Sequence, residues 1–410
     1  MKRLLTILLL FGFQTLSART IPVGVNEMVK TVKEGIEAAQ TGDTVLVKKG
    51  IYKEGNLLLT KSIFLLGESG ATLDGEEKNE ILTISGEGIV VKGFVFQNSG
   101  YSSMNDYASI KVIDASFVLI ENNTINKAYF AIHVANATYS VIQNNTISGL
   151  TKTEQTSGNG IHLWKCDNIL VKGNQIKGHR DGIYFEFVTN SVIEQNNSHH
   201  NIRYGLHFMF SNDDSYIENT FRNNGAGVAV MYSKRVVMAK NHFQHNWGPS
   251  AYGLLLKEIS DAQILLNEFD ENTVGVLMES TNRIEMRNNN FHSSGYALRI
   301  QASCSETMVH ENSFTSNTFD VATNGSLMMN RFYNNYWDKY DGYDLNRDGI
   351  GDVPYHPVSM YSMVIEQNPN AAILMRSFMV TLLDKAEKAI PSLTPENMAD
   401  EQPIMKRSLL

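Results

Sequence analysis

The sequence predicts an all-β fold, a right-handed parallel β-helix built from coils of about 22 residues. Three observations carry this. Asparagines 123, 145, 174, 196, 219, 241, 267, 289, 312 and 330 recur near that period. The segments around them, such as Val118–Ile125 and Ser140–Ile147, are near copies rich in β-branched residues. A second strand, usually opened by glycine (Gly160, Gly182, Gly205, Gly227, Gly253, Gly275), follows in each repeat. Coils stack roughly 4.8 Å apart. Equivalent asparagines therefore stack too, each side-chain amide bonding the next.

From the N-terminus, Met1-Lys-Arg and the apolar run Leu4–Phe13 read as a secretory signal peptide ending near Ala18. The run is too short to span a bilayer. Residues 19–60 then form a cap and first strands. Residues 26–40 suit a short amphipathic helix with Met28, Val29, Val32, Ile36 and Ala39 as its stripe. A helix there covers the unpaired end of a solenoid. Residues 61–337 form the β-helix. Longer steps place insertions at Tyr101–Tyr107, Leu150–Gly158 and Trp247–Ala251, and insertions in a solenoid commonly build a binding face.

Residues 338–357 form an Asp/Gly-rich loop. In residues 358–410, Asn368-Pro-Asn starts a helix that runs from Ala371 to Ile390. Its stripe is Leu374, Phe378, Leu382, Ala386 and Ile390, widened by Met375, Met379 and Leu383, and Pro391 stops it. Arg376 and the charges after Leu383 exclude a membrane span, and residues 392–410 look extended.

The net charge is −8, from 35 basic and 43 acidic residues. Losing Lys2 and Arg3 with the signal peptide leaves 33 against 43, or −10. Phosphate binding needs a basic face, so no nucleic-acid partner is expected. Cys166 and Cys304 lie too many coils apart for a disulfide and are expected as free thiols.

Side chains alternate across a strand. The outward residues of the second strand, coil by coil, are His133, His162, Tyr184, His207, Ala229, Leu255, Leu277 and Arg299. Two residues on come Ala135, Trp164, Glu186, Met209, Met231, Lys257, Glu279 and Gln301. His207, Met209 and Met231, with His162 and His133 beside them, form a soft imidazole–thioether set that favours Cu(I). A solvent-exposed or loop-covered surface is the plainer alternative. Asp344, Asn346, Asp348 and Asp352, with Gly349 between, match the first part of a calcium loop. Tyr355 stands where the bidentate glutamate belongs, so a turn held by side-chain-to-backbone bonds is the alternative. Paired carboxylates with a positioned base, as a polysaccharide lyase, epimerase or hydrolase needs, are not evident on the outward face.

The chain resembles the NosD family of periplasmic maturation factors of nitrous oxide reductase. Gly205–Ser211, Ala229–Ser233, Gly253–Lys257, Leu382–Pro391 and above all Tyr336–Tyr355 carry the resemblance. It implies a non-enzymatic periplasmic component of an ABC transporter complex. Such a protein receives copper from a lipoprotein chaperone and helps deliver it to the copper–sulfur centre of nitrous oxide reductase. It also implies that the C-terminal helix docks on the membrane subunit, whereas a helix capping the open coil end is the structural alternative. A secreted carbohydrate-active enzyme is the alternative function.

Overall fold

A computed structural model describes residues 18–102, 104–150, 153–325, 329–374, 377–389 and 398–407. The expected signal peptide lies outside the described residues, apart from Ala18. Met375, Arg376, Ile390 and Pro391 also lie outside them.

The chain forms a right-handed parallel β-solenoid with three sheets of 14, 13 and 12 strands. One coil supplies Leu119–Glu121 to the first sheet, Thr124–Ala128 to the second and Phe130–Ala135 to the third. The repeat therefore holds three strands where two were expected. The apparently continuous Val118–Ile125 breaks at Asn122, which is left-handed at φ 54°. Asn123 follows at this corner, buried.

The asparagine stack forms as expected. Asn145 Oδ1 accepts from Asn123 N at 3.0 Å and from Asn123 Nδ2 at 3.1 Å. Asn123 Nδ2 also donates to Val91 O. The pattern continues through Asn312, whose Nδ2 donates to Asn335 Oδ1 at 3.0 Å. Asn335 rather than Asn330 is thus the tenth member. Asn330 sits one corner earlier, where its Oδ1 accepts from Thr307 N. The short last step in the sequence reflects this change of column. A second stack, Asn201–Asn224–Asn246–Asn272, runs at the corner between the second and third sheets.

Inside the coil, Phe243, Phe269, Phe291 and Phe314 stack with centroids 4.6–4.8 Å apart and Trp337 closes the column. The glycines that open the third-sheet strands are needed for close approach. A Cβ on Gly160 would lie 2.5 Å from Gly182 O, and one on Gly227 2.3 Å from Gly253 O. Cys166 and Cys304 are buried free thiols, as expected.

Both ends depart from expectation. The N-terminal helix α1 covers only Val32–Ala38. Thr31 and Glu34 form a capping box that fixes its start, so residues 26–30 are outside it and Met28 is exposed. The C-terminal helix is broken. Helix α2 covers Met360–Gln367, Pro369–Leu374 is a 3-10 turn, and α3 covers Phe378–Ala389. Asn368-Pro369 ends α2 rather than opening one long helix, since proline disfavours a helical residue before it. Tyr361 and Ile365 of α2 bury against Phe319, with Val380 and Leu383 of α3 packed beside them. Phe378, Met379 and Leu382 stay exposed.

The tail returns to close the last coil. Asp400 Oδ2 accepts from Asn335 N, Asn335 Nδ2 and Trp337 Nε1, each at 3.0 Å. A carboxylate thus ends the asparagine stack. Asp400→Ala should leave two buried donors, Asn335 N and Trp337 Nε1, unpaired, while Asn335 Nδ2 keeps Val309 O, and weaken the last coil by about 3 kcal/mol. Hydrogen exchange should quicken at Arg331–Trp337 and stay unchanged mid-coil, because solenoid stability is local. Uniform acceleration along the chain would contradict this.

Candidate functional site on the third sheet

All three insertions leave the same corner. They connect second-sheet strands ending at Gln97, Gly149 and Gln244 to third-sheet strands starting at Ala108, Ile161 and Leu254. They therefore border the outer face of the third sheet.

On that face the expected columns are in register. His133 pairs with His162, His162 with Tyr184, Tyr184 with His207, and His207 with Ala229. Glu186 pairs with Met209 and Met209 with Met231. The face is not freely solvated. His207 is 5% exposed, Ala229 0% and Leu255 6%. The rings form one column of tilted and edge-to-face contacts, with centroids 4.8 Å apart for His133–His162, 4.7 Å for His162–Tyr184 and 4.9 Å for Tyr184–His207. Tyr184 therefore separates the five candidate ligands into His133/His162 and His207/Met209/Met231.

Three imidazole nitrogens here are buried without a hydrogen-bond partner: His133 Nδ1, His162 Nε2 and His207 Nε2. Burial pushes His162 down to about 3, and it also lowers His133. Both rings are neutral at neutral pH and keep a lone pair. Tyr184 Oη lies 3.5 Å from Met209 Sδ, which brings the thioether close to the column of rings.

His207 is oriented by residues the sequence reading did not join. Asp181 is fully buried, and Arg203 grips it through Nε at 2.9 Å and Nη2 at 2.5 Å. His207 Nδ1 lies 3.6 Å from Asp181 Oδ2. Burial opposes the Asp181 charge, but His207 and Arg203 outweigh it and hold the carboxyl below its ordinary range. The same Nδ1 lies 3.4 Å from Arg203 Nη2, so the Asp181–Arg203 pair holds the ring in either tautomer, and Nε2 is the nitrogen left without a partner. Arg203 also lies over the Tyr204 ring and 3.7 Å from Glu154 of the middle insertion. Tyr252 Oη donates to Tyr204 Oη at 3.3 Å. Asp181 and Tyr204 share the column just before the opening glycines. Aligning the repeats one position earlier would have found them.

Beneath the first two insertions lies a cavity of about 240 Å³ lined by Tyr101, Tyr129, Leu150 and His179. Burial pushes His179 down to about 4. The Asp344 loop is self-bonded. Asp344 accepts from Asp348 N and Gly349 N, Asp348 from Ile350 N, and Asp352 from Leu345 N. Asn346 joins Asp348 through Nδ2 at 3.0 Å. Those bonds are what the turn alternative requires. Among the described residues no three His, Cys, Asp or Glu side chains converge as a ligand set. Among them, too, no helix is long and apolar enough to cross a membrane.

The family model of the periplasmic copper-binding protein NosD matches residues 143–342. A Pseudomonas aeruginosa protein named "Probable ABC transporter binding protein NosD" is 28% identical over 375 residues, 86% of each chain. A protein of the same name from Stutzerimonas stutzeri is 27% identical over 120 residues, 28% of each chain. Among solved structures, the catalytic domain of a GH87 alpha-1,3-glucanase superposes with TM-score 0.57 at 10% identity, over 78% of this chain and 69% of that one. The Streptococcus pneumoniae surface protein and adhesin PfbA gives 0.56 at 14%, over 71% and 94%. These structural likenesses concern the fold alone.

Proposed function

The chain belongs to the NosD family, and on that premise we propose that it is a periplasmic copper-handling scaffold of an ABC transporter complex. In this reading it receives Cu(I) from a copper-chaperone lipoprotein and helps deliver it to nitrous oxide reductase for the copper–sulfur centre. The observation that carries the reading is the buried, unpartnered Nε2 of His207, set beside the register-paired thioethers Met209 and Met231. Neutral imidazole and thioether are soft donors suited to Cu(I). Asp181 and Arg203 hold the His207 ring, and the His133/His162 pair offers a further station along the same column.

Anaerobic Cu(I) titration against a competing chelator tests this. His207→Ala, Met209→Ala and Met231→Ala should each weaken binding by about 10-fold or more. Asp181→Asn should weaken it in the same range by freeing the ring, as outer-shell partners of metal-bound histidines do. Unchanged affinity in all four variants would remove this face from the reading.

The exposed Phe378, Met379 and Leu382 of α3 support docking onto the membrane subunit, while Val380 and Leu383 tie the helix to the solenoid. Phe378→Asp with Leu382→Asp should abolish co-purification with that subunit without lowering the melting temperature. Loss of folding instead would assign those residues to capping. Calcium at Asp344, Asn346, Asp348 and Asp352 is proposed as structural, and is read as a calcium-dependent rise in thermal stability.

We read the chain as turning over no substrate. Asp181 is sealed in its pair with Arg203, and Glu279 is held by Lys257 and Gln301. Turnover of a uronate polymer would favour the carbohydrate-active alternative.

A further inference from the structure

A histidine pair lies away from this face, at the corner between the second and third sheets. His199 ends the strand Asn197–His199, and His200 follows it in the left-handed region, φ 53°. Neighbouring residues of a strand point to opposite faces. The left-handed step at His200 breaks that alternation and brings both rings together. Their Nδ1 atoms are 2.7 Å apart and their planes meet at 84°. One Nδ1 thus carries a proton that the other accepts. In the tautomer with both protons on Nε2, both Nδ1 lone pairs face one point.

We propose that His199 and His200 form a two-coordinate site for a soft monovalent cation, Cu(I) or its analogue Ag(I), gripped between the two Nδ1 atoms. The chemistry selects the ion. Zinc wants four protein or water ligands, and calcium six to eight oxygens. Among the described residues no third His, Cys, Asp or Glu converges here, so an ion that wants more than two ligands must complete its sphere with water, which Cu(I) and Ag(I) do not need. The in-register neighbours of His199 are Lys177 and Arg222. Their repulsion scales with charge and weighs twice as much against a divalent ion. A metal–nitrogen distance of roughly 2 Å requires the nitrogens to part by about 1 Å. His200 is exposed and His199 only half-buried, so rotation of the side chains suffices.

The site shares no residue with His207, Met209 and Met231, and it stands or falls independently of the delivery reading. The test is titration of the full chain with Ag(I), and anaerobically with Cu(I), in a His207→Ala/Met209→Ala/Met231→Ala background. Imidazole nitrogens are followed by NMR and the bound ion by X-ray absorption. The expected result is one equivalent, with the Nδ1 signals of His199 and His200 shifted and two nitrogen neighbours around the ion. His200→Asn should remove that equivalent without disturbing the corner, because Asn223 holds the same left-handed position one coil on, φ 52°. Retention of the equivalent in His200→Asn, or sulfur in the first coordination sphere, would overturn the proposal. Equally tight Zn(II) binding would also overturn it, by showing an ordinary surface chelate.

Discussion

Asn219→Ala should destabilise the solenoid by about 4 kcal/mol, among the largest effects expected of a single substitution in this chain. Asn219 Oδ1 accepts from Asn196 N at 2.9 Å and Asn196 Nδ2 at 3.0 Å. Its Nδ2 donates to Ile193 O at 2.8 Å and to Asn241 Oδ1 at 3.0 Å. All these partners are buried in a corner that no water-facing rearrangement can reach. Truncation leaves Asn196 N and Ile193 O each short of a partner, at roughly 1–3 kcal/mol per orphaned group. It also opens a gap in the column. Asn219→Asp should be no milder. Its second oxygen would face Asn241 Oδ1, acceptor against acceptor, with a charge taken out of water. Asp400 can be a carboxylate only because it ends the stack and meets donors alone. Equilibrium denaturation of the two variants checks the claim. A loss below about 1 kcal/mol would mean that the column relaxes, and that the stack is not what holds the corner.

The fold was legible because a solenoid writes its geometry into the sequence as a period. One asparagine column and one glycine column suffice to align the coils. That alignment places His207 opposite Ala229 and Met209 opposite Met231 without any structure. What it did not reveal depends on conformation at single residues. Asn122 looks like the middle of a strand until its φ is known. Likewise Asn330 and Asn335 are indistinguishable as letters, and only the hydrogen bonds to Thr307 and Asn312 assign them to different columns. The site was half legible for a similar reason. Outward-facing histidines follow from alternation, but their burial follows from insertions whose path has no period. The Asp181–Arg203–His207 contact crosses one coil and two columns. No spacing rule announces it. The C-terminal helix misled because its apolar stripe is real at Phe378 and Leu382, whereas the segment that should form its first turn, through Leu374, is a 3-10 turn and the α-helix begins only at Phe378.

Asp214→Asn should stabilise the protein at pH 7 by on the order of 3–4 kcal/mol, the reverse of what most buried substitutions do. Asp214 is 1% exposed, and its Oδ2 is buried without a partner. Burial pushes its carboxyl up to about 8, the charges of Asp213 and Asp167 add to this, and the bond from Ser191 N opposes it. The folded state therefore holds a proton that the unfolded chain releases near the ordinary carboxyl value of 3.8. Stability from that proton is complete below pH 4 and is lost as pH rises toward 8. An asparagine pays none of this cost, and the chain supplies its own precedent. Asn330 occupies the same corner column, accepts from Thr307 N at 2.8 Å as Asp214 accepts from Ser191 N at 2.8 Å, and donates to Cys304 O at 3.1 Å. The amide thus keeps the acceptor and gives the orphaned position a donor. Unfolding free energies of both forms between pH 5 and 8 make the comparison. The difference between them should widen with pH, since every other titrating group is common to both. A constant difference would show that Asp214 is ionised throughout and that its corner is wetter than its burial implies.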